Sequence, residues 1–336
     1  RVDSPQGIAF ERQMTGVPIG PAREGARVEW PTLALLVLIY LGWGTVTVFA
    51  AGLGPWLAVP LLAVILAQHS SLQHEIIHGH PTRRAALNEA LVWPAMGLFV
   101  PFRRFRDLHL AHHYDPLLTD PHDDPESNYL DPAVWARLPR PLRLVLAANN
   151  TLLGRMILGP FVGIWCLLRD DLALLRAGDR AVAVAWAHHL AGLVPVGLWL
   201  WLAGTMPVGQ YLLAAWAALG ILRIRTFLEH QAHEQAAGRS VIIEDRGPLA
   251  LLFLNNNFHA VHHAKPGLAW YRLPAEFARR REWWLRRNGG YGYRSYGEVF
   301  RRYLLARKDP VAHPIWTPPE PGPRRAHPVS GRPLRS

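Results

Sequence analysis

Two long stretches of the chain carry no charged side chain, and they restrict the possible folds more than any other feature. Residues 31–74 and 181–222 contain no Asp, Glu, Lys or Arg. A membrane-spanning helix needs about 20 apolar residues, so each stretch is long enough for two spans. A glycine-containing break near the middle of each stretch favours a helical hairpin. The sequence therefore predicts four spans, which we place at residues 32–51, 55–76, 181–203 and 207–228.

The basic residues predict how these spans are oriented. All 36 Lys and Arg residues lie outside the two hairpin turns. The positive-inside rule then places the other connecting segments and both termini in the cytoplasm. The first 30 residues are polar and lack the short apolar core of a removable signal peptide. We expect an integral, multi-pass protein of the inner (plasma) membrane, with a cytoplasmic segment at 1–30, a membrane domain at 31–275 and a basic tail at 276–336.

Shorter apolar runs occur between and after the hairpins, at residues 91–102, 144–153, 156–168 and 248–254. None is long enough to span a bilayer without interruption, so we interpret them as helices that lie in the membrane interface. The alternative, a fifth span at residues 144–168, would put the histidine clusters before and after it on opposite sides of the membrane. The last stretch, residues 310–336, is rich in Pro and Arg, a composition typical of disorder.

The formal net charge of +11 is concentrated near the end of the chain. Residues 265–336 contain 16 Lys and Arg against 5 Asp and Glu. This excess could bind anionic lipid head groups or an acidic electron-transfer partner, or it could simply retain the tail in the cytoplasm. Nucleic-acid binding does not fit a chain with four spans.

Most of the 17 histidines fall in tight groups near the predicted cytoplasmic ends of helices. HEIIH places His74 and His78 at i and i+4 on one helical face. HLAHH and HAVHH each project three imidazoles from a single helical turn, namely His109, His112, His113, His259, His262 and His263. At this histidine content one HxxHH is expected by chance only about 0.04 times per chain, so two of them predict a shared purpose.

Eight imidazoles are too many for one metal ion, which binds about four to six ligands, so the count itself predicts two metal ions. A histidine-rich, carboxylate-poor set suits iron, copper or zinc better than magnesium or calcium. His230, at the end of the fourth predicted span, is placed to be a ninth ligand. Alternatively, it hydrogen-bonds a carbonyl group in the last turn of that helix.

Other polar residues near these groups are candidates for supporting roles. A metal-bound imidazole usually donates its other N–H to a carboxylate or carbonyl. The carboxylates that we predict for this role are Glu75, Asp107 and Glu229, followed by Asp120, Asp123 and Asp124. His80 and His233 flank proposed ligands and could replace them, whereas His313 and His327 in the tail are expected to have no role. His188 and His189 lie within the third predicted span, where an interhelical hydrogen bond is the simpler interpretation.

The order HxxxH, HxxHH, single His and HxxHH resembles the membrane fatty acid desaturase superfamily, which also contains alkane monooxygenases and carotenoid ketolases and hydroxylases. The resemblance covers residues 30–275. FLEH at 227–230 is similar to the additional histidine of the alkane monooxygenases, and NNNFH at 255–259 is similar to the Asn-rich start of the third histidine box. HEIIHGHPTR and LTDPHDDPES resemble a bacterial branch that includes rhizopine-catabolism oxygenase-like proteins.

This resemblance implies an all-α fold, in which a four-span transmembrane helical bundle carries a cytoplasmic helical cap with a histidine-rich diiron site. It implies an oxidoreductase that uses two non-haem iron ions and O2 as co-substrate to act on unactivated C–H bonds of a lipid-like substrate. Fatty acyl desaturation is the leading expectation, and hydroxylation of a hydrocarbon, carotenoid or other small molecule is the alternative. The third box starts with His259 and not with the Gln of front-end desaturases. Since this chain carries no cytochrome b5 or ferredoxin module, an external ferredoxin- or cytochrome-type electron donor is implied.

Two other functions are compatible with parts of the sequence. HEIIH also satisfies the HExxH motif of zinc proteases, in which Glu75 would be the base. An intramembrane protease of this type commonly takes a third ligand from an Asp-Gly element, but this sequence contains no Asp-Gly dipeptide. A metal transporter would need polar ligands along the spans, whereas the histidines collect at one end.

Overall fold

The computed structural model describes residues 28–114 and 117–317. The fold of these residues is mostly helical, in agreement with the predicted all-α class. The helices are α1 (Trp30–Val48), α2 (Ala50–Leu53), α3 (Pro55–Ile77), α4 (Ala85–Leu91), α5 (Phe102–Tyr114), α6 (Pro132–Arg137), α7 (Arg140–Asn149), α8 (Leu152–Arg176), α9 (Arg180–Leu202), α10 (Val208–Thr226), α11 (Pro248–Leu252), α12 (His259–Ala264), α13 (Leu273–Arg279), α14 (Arg281–Arg287) and α15 (Tyr296–Tyr303). The strands β1 (Ile242–Ile243) and β2 (Gly292–Tyr293) form a small parallel sheet. The N-terminal segment up to residue 27 and His327 lie outside the described residues.

The two predicted hairpin turns lie beside each other at one end of the helical bundle. The backbone N–H of Thr205 donates to the carbonyl of Thr47 at 2.9 Å, and the Thr205 hydroxyl donates to the carbonyl of Val48 at 2.8 Å. That hydroxyl also accepts from the backbone N–H of Ala51 at 3.0 Å. Gly54, with a φ of +71°, allows the chain to turn sharply into α3. Both turns therefore lie on the same side, at the end of the bundle opposite the histidines.

Four of the described helices are long and apolar enough to cross a membrane: α1, α3, α8 and α9. Three of them coincide with predicted spans. The fourth predicted span forms α10, whose last turn carries Arg223 and Arg225. Helix α10 is not among the four candidate spans, and the fourth candidate is α8. Helix α8 is continuous over a region in which we predicted interfacial segments.

The assembled histidines restrict which of these helices can cross. His112 precedes α8 and His230 follows α10, yet both belong to one group of four histidines. An even number of crossings must therefore separate them. Helix α10 packs along α3, and both helices end at the histidines. We therefore keep the prediction that α9 and α10 cross the membrane while α8 lies along its surface.

The contacts of α8 support this placement. Its first part lies against Gly220, where an added Cβ would meet the backbone oxygen of Met156 at 2.7 Å. Its second part carries Asp171, which accepts a hydrogen bond from the indole of Trp186 at 2.8 Å. Both Gly220 and Trp186 lie six residues from the histidine end of their helices. Helix α8 thus stays at a similar depth in the bundle along much of its length.

A buried ion pair fixes the start of α5 to α8. The guanidinium of Arg104 donates to both carboxylate oxygens of Asp171 at 2.9 and 3.0 Å. Both side chains are buried, and the second carboxylate oxygen also accepts from Trp186 of α9. Since His109 follows Arg104 by little more than one turn, this pair sets the position of the helix that carries the second histidine box.

Residues 92–101 differ from the predicted interfacial helix over 91–102. They run as an irregular segment that enters the bundle between α1, α9 and α10, with Val92 and Met96 fully buried. Polar backbone at membrane depth must find partners within the protein. Three side chains supply them at 2.8 to 2.9 Å: Tyr40 donates to the carbonyl of Leu91, Tyr211 to that of Met96 and His189 to that of Leu98. These partners are distant in sequence, which is why an apolar run alone could not predict this path.

The structure of residues 310–317 contradicts the prediction of disorder from residue 310 onward. Residues 304–317, the C-terminal strap, form bridges with two earlier loops, Arg307 with Thr151 and Ala312 with Leu130. His313, for which we expected no role, is buried, and its Nε2 lies 3.3 Å from the hydroxyl of Thr119. Trp316 donates to Asp120 at 3.0 Å. Backbone pairing and two long side chains therefore order this part of the predicted tail.

Candidate metal centre

Nine histidines from four segments of the chain meet at the ends of α3 and α10. They form two groups, and within each group one nitrogen from every ring lies within 4.8 Å of the others. The five-histidine group contains His74, His78, His109, His113 and His262. The four-histidine group contains His112, His230, His259 and His263. These are the nine residues that the sequence predicted as metal ligands, and their division into two groups fits two metal ions.

Each HxxHH motif contributes to both groups. In α5, His109 and His113 are at i and i+4 and face the five-histidine group, whereas His112 faces the other group. In α12 the arrangement is reversed, since His262 belongs to the five-histidine group, whereas His259 and His263 belong to the four-histidine group. Consecutive residues of a helix point about 100° apart, whereas residues at i and i+4 differ by only about 40°. One motif can therefore serve two ions that lie side by side.

The spacing of the Nε2 atoms matches a coordination shell. His112 and His259 each approach the Nε2 of His230, at 2.9 and 3.0 Å. His78 and His109 approach each other at 3.1 Å through the same atoms. Two nitrogens bound at right angles to one metal at about 2.1 Å lie about 3.0 Å apart. One neutral imidazole carries a single N–H, so a metal accounts for these convergent nitrogens better than a set of hydrogen bonds does.

The opposite ring nitrogens hold the histidines in the orientation that a metal needs. His112 Nδ1 donates to Asp124 at 2.7 Å, and His109 Nδ1 donates to Glu126 at 2.9 Å. These bonds hold a proton on Nδ1, so that Nε2 is the atom directed at the metal position. His74 Nε2 is buried without a hydrogen-bond partner among the described residues, as expected for a ligand atom. The donor set therefore fits a pair of histidine-ligated metal ions.

A family model for the fatty acid desaturases matches residues 50–296, which is most of the chain and includes all nine histidines. The chain belongs to the fatty acid desaturase family. This membership makes it a membrane oxidoreductase of the desaturase and hydroxylase superfamily, and the two histidine groups fit the diiron site of such a protein. A search of curated proteins found no match.

The electrostatics of this desaturase site favour neutral imidazoles. Burial, followed by repulsion from neighbouring histidines, holds the pKa of His230, His259 and His263 well below the usual value. These imidazoles are therefore neutral at neutral pH, and one nitrogen of each ring carries no proton. His112 is the exception, because burial lowers its pKa but Glu126 and Asp124 more than compensate and raise it to about 9. These two carboxylates also supply negative charge beside the place of the metal ions.

Three of the six carboxylates predicted to support the ligands have different surroundings. Glu229 is buried and accepts from the side-chain amide of Asn256 at 2.8 Å, and its Oε1 lies 3.7 Å from Nδ1 of His259. Glu75 is also buried, and it accepts from the backbone N–H of Trp270 at 3.1 Å. Asp107 instead pairs with Arg106 and its side chain is 41% exposed, so the structure corrects its predicted position beside a ligand.

The remaining predicted histidines lie outside the two groups. His80 is buried, and its Nδ1 is 2.7 Å from a carboxylate oxygen of Glu29. His233 Nδ1 accepts from the backbone of Gln235 at 3.1 Å. His188 lies 3.6 Å from Glu89. Its neighbour His189 makes the bond to the backbone of the 92–101 segment, an intramolecular hydrogen bond as expected.

Sequence reasoning missed Glu126, the partner of His109. Its carboxylate is within 2.9 Å of His109 Nδ1, and the pKa of this group is held low because both His109 and His112 offset the effect of burial. Glu126 follows the ligand by 17 residues in an irregular loop, so no helical spacing connects the two. The signal that could have found it is the acidic LTDPHDDPES segment, which supplies both Asp124 and Glu126.

Proposed function

We propose that this desaturase family member is an O2-dependent diiron enzyme that acts on unactivated C–H bonds of a lipid-like substrate, most simply by fatty acyl desaturation. The observation that carries the proposal is the pair of histidine groups with convergent Nε2 atoms. The family match and the apolar helices support a lipid substrate and a membrane location. The position of the histidines at the cytoplasmic face is part of the proposal.

Two irons bound by these histidines would supply O2 activation for removal of hydrogen from a C–H bond. The residues of the chain hold and orient the site. Asp124 and Glu126 direct the Nε2 atoms of His112 and His109 inward. The pair of Arg104 and Asp171 fixes the helix that carries both of these ligands.

A cavity of about 240 Å³ supports the proposed use of an external electron donor. His113 and His263 both line it, and their rings stack at a centroid distance of 4.1 Å. Because these two residues belong to different histidine groups, the cavity borders one member of each group. Arg287 and Trp284 of α14 lie at its other side. We propose that electrons from a ferredoxin- or cytochrome-type protein enter through this face.

Hydroxylation of a hydrocarbon, carotenoid or other small molecule is the alternative outcome at the same site. Glu229 and His230 support it, because an EH pair is the feature that resembles the alkane monooxygenases. His230 is a member of the four-histidine group, and the Glu229 carboxylate lies 3.7 Å from His259 of that group. A zinc protease is less well supported. Its base would be Glu75, which accepts from the backbone of Trp270, and a single zinc would leave most of the nine histidines unused.

Metal analysis tests the proposal directly. Protein purified in mild detergent should contain close to two irons per chain, and active protein with one zinc and no iron would refute the diiron site. With a reductase, ferredoxin and saturated acyl lipids or alkanes, products are resolved by mass, since desaturation removes two hydrogens and hydroxylation adds one oxygen. His259→Ala and His112→Ala should abolish turnover, whereas His233→Ala should retain most of it. Full activity of His259→Ala would contradict the ligand assignment.

Reporter fusions test the proposed orientation. Fusions at Leu53 and Thr205, in the two adjacent hairpin turns, should report the outside. A fusion at Asp123, in the loop that supplies Asp124 and Glu126, should report the cytoplasm. A cytoplasmic signal at both Thr205 and Asp123 would show that α9 and α10 do not form a membrane hairpin.

A further inference from the structure

The C-terminal strap reaches the four-histidine group through a buried lysine. The chain contains only two lysines, Lys265 and Lys308. The side chain of Lys265 is 45% exposed and pairs with Glu276, whereas that of Lys308 is 7% exposed. The ammonium group of Lys308 donates to the backbone carbonyl of His230. Burial of an ammonium group costs free energy unless the group is paired. The position of Lys308 beside a proposed ligand therefore requires compensating contacts.

A group of polar contacts holds Lys308 in this place. Its neighbour Asp309 lies 3.6 Å from the ammonium and accepts a hydrogen bond from the Tyr129 hydroxyl. That hydroxyl also accepts from the backbone N–H of Ala232 at 2.9 Å, two residues beyond the ligand His230. The side-chain amide of Asn150 donates to the carbonyl of Asp309 at 2.6 Å. The loop after α10 is therefore bonded to the strap directly at His230 and, through Tyr129, at Ala232.

The strap reaches a second ligand of the same group by a separate route. The carbonyl of Leu130 accepts from the backbone of His313 at 2.9 Å. His313 contacts the hydroxyl of Thr119, and the backbone N–H of Thr119 donates to Asp124 at 2.7 Å. Asp124 in turn accepts from His112 at 2.7 Å. Through this route the strap supports the orientation of His112.

We propose that residues 304–317 form a strap that closes the four-histidine side of the metal centre, and that Lys308 is the positioning residue for His230. This inference rests on the proposed diiron function. Both routes end at members of the four-histidine group, His230 and His112. Loss of the strap should therefore release iron from that group before it affects the five-histidine group.

Iron retention in two matched variants tests the proposal. Lys308→Met should lower the iron content from about two per chain toward one, and one of two Mössbauer components should disappear. Lys265→Met makes the same chemical change closer in sequence to a ligand, His263, and should keep both irons. Lys308→Arg retains a cationic donor and should restore part of the loss. If Lys308→Met keeps two irons with the chelator resistance of Lys265→Met, the inference is wrong.

Amine labelling of the unmodified protein gives a second measurement that does not depend on how a variant folds. With iron bound, Lys308 should react at least about 10-fold more slowly than Lys265, and chelation of iron should remove most of this protection as the strap opens. A merely structural strap would protect Lys308 equally with and without iron. Equal labelling of both lysines in protein with two irons would overturn the inference about the strap but not the proposed function. The absence of iron from the purified protein would overturn the proposed function.

Discussion

Replacement of Asp124 by Asn should weaken iron binding at the four-histidine group. One carboxylate oxygen accepts from His112 at 2.7 Å and the other from the backbone N–H of Thr119 at 2.7 Å. An amide has one oxygen and one NH2 group, so either orientation directs a donor at a donor. If the NH2 group faces His112, the imidazole avoids the clash only by moving its proton to Nε2, the atom that must bind the metal. If it faces Thr119, the loop loses a buried hydrogen bond.

The magnitude follows from the bond that is lost. A hydrogen bond to a charged group contributes about 1.5–3 kcal/mol, compared with about 0.5–1.5 kcal/mol for a neutral one. Loss of such a partner behind a metal-bound histidine reduces metal affinity by about 10- to 100-fold, which corresponds to about 1.4–2.8 kcal/mol. We expect this reduction for one of the two irons. The ligand that Asp124 supports, His112, belongs to the four-histidine group.

Chelator competition in detergent measures this effect. Iron retained per chain is followed against chelator concentration for Asp124→Asn and for Asp123→Asn, which changes the exposed neighbour in the same loop. The Asp124 variant should release one iron at about 10- to 100-fold lower chelator concentration than the control. Identical release curves would refute the claim that Asp124 orients a ligand.

Three further outcomes follow from the packing. Asp171→Asn removes the counter-charge of the buried Arg104 and should cost about 3–5 kcal/mol, seen as a lower thermal midpoint than that of Asp170→Asn, whose side chain is 58% exposed. Gly220→Ala places a Cβ within 2.7 Å of a backbone oxygen of α8 and should destabilise by about 1–3 kcal/mol, whereas Gly209, which has nothing within 4 Å, should tolerate alanine. Removal of iron should lower the thermal midpoint, because the ligands join separate segments of the chain. Unchanged midpoints in these comparisons would contradict the respective arguments.

The features that could be predicted from the sequence are those with a local, repeated pattern. The charge-free stretches predict apolar helices because every residue of a span must tolerate lipid. Eight of the nine histidines are recognisable because a helix repeats every 3.6 residues, so that i, i+3 and i+4 spacings produce convergent side chains. The family assignment based on these motifs is confirmed by the match over residues 50–296. The membrane orientation and the individual ligand roles remain predictions.

The missed features depend on contacts between distant residues. Composition favours disorder at the end of the chain, yet Trp316 and His313 find partners near residue 120. Apolar character favours a surface helix at residues 91–102, yet three side chains from other helices support an irregular path there. The partner of His109 is Glu126, in a loop without periodicity. These pairings follow no local repeat, so the spacing of residues along the sequence does not specify them.

The division of each HxxHH motif between the two groups also governs when iron can enter during synthesis of the protein. His262 completes the five-histidine group, and His259 and His263 complete the four-histidine group. Neither group is complete until α12 has left the ribosome, although the first ligands, His74 and His78, are made long before. A nascent chain thus exposes a partial set of imidazoles that could bind a competing metal weakly. We expect both irons to be loaded after translation, into a chain whose membrane helices have already assembled.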